Sequence, residues 1–92
     1  MALPTSPQKD VPVFNCVVHV TPRDADGTVI ARVANLPGIE GRGKSEREAL
    51  AQAVAAFKAA VAAKVAAGEA IPFIEPPQPA GGETQRLIAV HL

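Results

Sequence analysis

Apolar and polar residues alternate with a period of two over Val13-Phe-Asn-Cys-Val-Val-His-Val20. That spacing predicts a strand with Phe14, Cys16, Val18 and Val20 on a purely apolar face and Val13, Asn15, Val17 and His19 on the other. Arg23 to Gly27 carries an Asp-Gly pair and reads as a hairpin loop, so Thr28 to Ala34 returns antiparallel with Val29, Ala31 and Val33 on one side. Ile39 to Arg42 is a short third strand. From Glu46 to about Ala67 the period lengthens to three and four, and Leu50, Ala53, Val54, Phe57, Val61 and Val65 form one stripe of a helix that covers a sheet. Alanine elsewhere in that segment favours helix, and Gly68 is placed to end it. Ile71 to Glu75 is an extended exit, residues 75–84 are a Pro- and Gly-rich connector, stiff and then flexible, and Arg86 to Leu92 is a fourth strand.

The expected architecture is therefore α+β: a small, mainly antiparallel sheet in the order β-β-β-α-β, with one long helix on one face. Residues 1–12, with Pro4, Pro7, Lys9 and Asp10, read as a flexible N-terminal arm, and residues 13–92 as a single domain.

The corner Asn35-Leu-Pro-Gly-Ile-Glu-Gly-Arg-Gly-Lys-Ser-Glu-Arg-Glu-Ala-Leu50 admits two readings. Gly38, Gly43, Lys44 and Ser45 satisfy the bare phosphate-loop pattern GxxxxGK[ST], in which backbone amides at a helix start hold an anion. The context opposes it: Pro37 interrupts the approach to Gly38, and no later strand ends in the aspartate that would hold magnesium. The structural reading uses the same letters without a ligand. Leu36-Pro37-Gly38 turns the chain, and Ser45 with Glu48 forms a capping box. We expect a corner that delivers a strand into a helix.

Composition narrows the function classes. The 92 residues carry nine basic and nine acidic side chains for zero net charge, and only Phe14, Phe57 and Phe73 are aromatic. Both the phosphate attraction and the stacking platforms of a nucleic-acid binder are thus sparse. A single Cys16 cannot form an intrachain disulfide, and no ligand spacing suggests zinc. His19 and His91 lie among apolar strand residues, where a hydrogen-bonded neighbour is the commoner role than a base. Asp24 and Asp26 serve a turn, and Glu46 and Glu48 a helix start. The N-terminus lacks the apolar stretch of a signal peptide and no run approaches a membrane span, so a cytoplasmic protein without metal or cofactor is expected.

The element order, Asp26-Gly27 in the first turn, Ala31 to Gly38 ending in ANLPG, Gly43 to Leu50 opening the helix and Gly68 to Pro72 closing it together resemble the HicB-like antitoxin family. The resemblance covers about residues 13 to 75, with Arg86 to Leu92 fitting the final strand. It implies a pared-down ribonuclease H-like fold that neutralises a small ribonuclease toxin, HicA, by binding it. Many members add a C-terminal DNA-binding element; this sequence stops at Leu92, so DNA binding is not expected. Nor is nuclease chemistry, which needs carboxylates converging on two metal ions, one of them on a first strand that here has no acid.

One helix covers one face of a sheet, which leaves Val13, Val17 and Ile30 opposite it, while the last strand has apolar residues on both sides. These three, with Arg86, Ile88 and Val90, make the candidate surface for a homo-oligomer of two or more copies or for a toxin partner. In one arrangement the connector carries the last strand onto a neighbouring chain; in the other the arm and connector fold over the open face within one chain.

Overall fold

The computed structural model describes residues 13–22 and 24–92; the expected arm at 1–12 and Arg23 of the hairpin loop lie outside them. The elements are β1 (Val13–Val20), β2 (Val29–Val33), β3 (Glu40–Gly43), α1 (Glu46–Ala67) and β4 (Thr84–His91). They form one antiparallel sheet in the order β3-β2-β1-β4 with the helix on one face. The α+β reading and the β-β-β-α-β order hold, and each boundary falls within two residues of the sequence expectation.

The first hairpin closes on Asp24. Its carboxylate accepts from the amides of Asp26 and Thr28, both at 2.9 Å, and Gly27 takes the positive φ of 81° that the turn requires. The Thr28 amide above all, then that of Asp26 and the charge of Lys44, hold the Asp24 carboxyl below its ordinary value of 3.8. A carboxyl with a lower pKa folded than unfolded stabilises the fold above the unfolded value and loses that contribution as pH falls through the folded one. Asp24→Ala should therefore lower the urea midpoint at neutral pH, and the gap from wild type should close as the buffer is taken below pH 3.8. A gap that stays constant with pH would show that the carboxylate charge is irrelevant to the turn.

Residues of like parity share a face. Val18 faces Val33 and Arg86, Cys16 faces Ile88, and Ala31 faces Gly41. This register assembles Cys16, Val18, Val20, Val29, Ala31, Val33 and Val90 beneath Ala49, Ala53, Phe57 and Val61 of the helix. Burial pushes the Cys16 thiol up to about 11, the behaviour of an inert core residue. Ala53, Phe57 and Val61 of the expected stripe are fully buried, but the helix is rotated slightly from it: Ala49 is fully buried too, Leu50 and Val54 are half-buried, and Val65 is 46% exposed. The cause lies under it. A Cβ on Gly41 would come within 2.4 Å of the Ala49 carbonyl and the Ala53 amide, and one on Gly43 within 2.4 Å of Glu48 Cβ. Two bare strand positions let the helix approach so closely that alanine, not leucine, is the residue that fits the contact.

The helix ends are closed by its own chain. Ser45 Oγ accepts from the Glu48 amide at 3.2 Å, and Glu48 Oε1 accepts from the Lys44 amide at 2.8 Å. At the other end Gly68 adopts φ 71°, its amide bonds the Val65 carbonyl, and the Glu69 amide bonds that of Lys64, a Schellman closure. Ser45→Ala should cost about 0.5 to 2 kcal/mol of unfolding free energy, measured by urea titration. No loss would mean the hydroxyl is not the group that satisfies the first turn. By length and composition α1 also qualifies as a possible membrane span, which corrects the expectation that no run comes near one. In the fold its apolar stripe is spent on the sheet.

Candidate functional site

The glycine-rich corner is the first place to look for chemistry, and its geometry is that of a packing joint. Glu40 to Gly43, the middle of the phosphate-loop pattern, is a strand hydrogen-bonded to β2, not a loop. Its glycines face the helix start and backbone, and two amides there are already taken, that of Glu48 by Ser45 Oγ and that of Lys44 by Glu48 Oε1. Glu46, also at the helix start, pairs with Arg86 of β4 at 2.6 Å. Among the described residues no group of three or more His, Cys, Asp or Glu side chains is placed to hold a metal ion.

The second place is the helix-free face, where the connector crosses. Phe73 stacks at tilted angles against Phe14 and Phe57, with ring centroids 6.1 and 6.2 Å apart. The Ile74 amide then donates to the Asn35 carbonyl, which takes the chain round the end of the sheet. Asn35 is itself a buried strut: its Oδ1 accepts from the Val17 amide at 3.0 Å and its Nδ2 donates to the Asn15 carbonyl at 2.8 Å, so the side chain continues the ladder that β2 no longer supplies to β1. Beyond it the connector borders a cleft of about 400 Å³ against His19, Arg32 and Glu83.

That cleft contains the best-organised polar cluster of the face. His19 is buried, with Nε2 3.0 Å from Gln85 Oε1 and Nδ1 3.7 Å from Glu83 Oε1. Glu83 in turn lies 3.4 Å from Arg32 and accepts from the Ala80 amide at 2.9 Å. Both ring nitrogens of His19 point at groups of the fold, and the cluster pins the connector to the sheet. This is the hydrogen-bonded neighbour expected of His19; His91 is exposed on β4. Within this single chain the connector folds back so that β4 pairs with β1 over its whole length.

The six residues proposed for an interaction surface do not share a face. Val13, Val17 and Ile30 lie opposite the helix, but Arg86, Ile88 and Val90 fall in register with Val18, Cys16 and Phe14 and so point toward it. Arg86 is engaged by Glu46, and Val90 belongs to the core. Val17, expected toward water, is only 8% exposed, and Ile30 is half-buried. The exposed apolar residues of the helix-free face are Val13, at 51%, and Leu87, at 72%, the latter directly across from Val17 and missed in the sequence. Its signal was its odd position in β4, the parity that faces away from the helix once the register is known. Compared with family models, curated proteins and solved structures, the chain matches none of them.

Proposed function

We propose that this chain is a non-catalytic, cytoplasmic protein-binding module resembling a HicB antitoxin, which neutralises a small ribonuclease toxin by docking on it. The observation that carries the reading is Leu87, 72% exposed on the helix-free face of β4, with Val13 further along the same face at 51%. Exposed apolar residues beside an ordered polar cluster suit a partner surface. The resemblance gains support from the local structure, because each motif behind it has a structural job: Asp26-Gly27 closes the hairpin, Gly43 to Glu48 caps the helix, and Gly68 ends it. A second reading, a stand-alone self-associating protein of this type with another regulatory partner, is favoured by the outer edge of β4, with which none of the described residues pairs.

Co-expression separates the two. A HicA-type ribonuclease co-expressed with this chain should arrest growth alone and not in its presence, and Val13→Glu should restore arrest while leaving the melting curve of this protein in place. Continued arrest with the wild-type chain present at equal abundance would reject the antitoxin reading and leave the self-associating one.

A further inference from the structure

The two edges of the sheet are treated differently. β3 is four residues long, carries the Glu40–Arg42 ion pair and lies tight beneath the helix, all of which blunt an edge. β4 is eight residues long, contains no proline, and none of the described residues pairs with its outer side. Its one permanently charged side chain, Arg86, is turned to the helix face and held by Glu46. Gln85 is held by His19. What remains at the centre of the open edge is Leu87, the most exposed large apolar residue of the described chain.

We propose that β4 pairs antiparallel with β4 of a second copy of this chain, about a two-fold axis perpendicular to the sheet and passing through Leu87, to give a continuous eight-stranded sheet. Such an axis preserves faces, so each residue must meet one of its own parity. Centred on Leu87, it sets Leu87 against its own copy, Gln85 against Ala89, and Arg86 against Ile88, and it opposes no like charges. The strand is thus complementary to itself in both backbone and side chains, the condition for an isologous interface. The helix-free face gains the leucine pair, and the unpaired N–H and C=O groups of the edge gain partners. A single ladder is a small interface, so association belongs in the micromolar range. The inference rests on the self-associating reading and shares Leu87 with the toxin reading; mass and cross-linking are measured on this chain alone, so its failure is distinguishable from failure to bind a toxin.

Sedimentation equilibrium of the full chain across a micromolar dilution series should give a dimer mass at the upper end. Leu87→Lys sets two ammonium groups against each other across the axis and should weaken the dimer by about tenfold or more. Because Leu87 is exposed, the far-UV spectrum and the monomer fold should survive that change. Directly opposed strand residues lie about 4.5 to 5.5 Å apart at Cα, within disulfide range. Leu87→Cys should therefore give a covalent dimer on mild oxidation, whereas Val65→Cys, exposed on the helix, should not. A monomer throughout the series, a dimer indifferent to Leu87→Lys, or no preference for cross-linking at position 87 would each overturn the proposal.

Discussion

Phe57→Ala should remove about 3 to 5 kcal/mol of stability, the usual cost of truncating a buried aromatic side chain. Phe57 has no exposed surface and occupies the middle of the helix stripe, the largest side chain in a buried core otherwise built of valine, alanine, Cys16 and Leu36. The ring also meets Phe73, which meets Phe14, so the truncation loosens the start of the connector together with the helix. A domain of this size has only about 5 to 15 kcal/mol in total, and the variant should populate unfolded chains at temperatures where the wild type does not. Thermal and urea unfolding read this directly. Phe57→Leu, which keeps most of the volume, should cost less than half as much; an unchanged melt for Phe57→Ala would mean that the helix docks by another face.

Gly41→Val should be comparably damaging for the opposite reason, excess volume. The first added carbon already falls 2.4 Å from two backbone atoms of the helix, the Ala49 carbonyl and the Ala53 amide, and no rotamer change relieves a contact with backbone. The helix must lift from β3, at a cost of about 1 to 3 kcal/mol for overpacking, with more expected from valine's two further methyl groups. Gly81→Ala is the control: nothing lies within 4 Å of its added carbon, so its melting temperature should match the wild type. Equal melting of Gly41→Val and wild type would remove the packing explanation of the corner and reopen it to a ligand.

The strands and helix were legible because their signals are local. Alternation marked β1, Asp24 to Gly27 marked the turn, and Ser45, Glu48 and Gly68 marked the helix ends. Two features escaped because they depend on what lies across the sheet. Period two divides β4 into Arg86, Ile88 and Val90 on one side and Leu87 and Ala89 on the other, but only the register of Cys16 with Ile88 decides which side meets the helix. The candidate surface therefore combined odd residues of β1 with even residues of β4. Likewise hydrophobicity alone sets Leu50 in the stripe with Ala53, Val54, Phe57 and Val61, and the place of Ala49 at its centre follows from two glycines on a different element. The strut made by Asn35 and the Glu83–His19 cluster join residues 18 to 64 positions apart, for which a single sequence carries no pattern.

The glycine-rich corner packs as a joint, and the proposed function is to bind a protein through the open sheet. Titration of this chain into an RNA-cleavage assay of a purified HicA-type ribonuclease is the direct test. Cleavage should fall to background near equimolar protein, with no added nucleotide or metal and equally well for Lys44→Ala. Cleavage that persists under excess of the folded chain, or inhibition that requires ATP and is lost in Lys44→Ala, would contradict that reading.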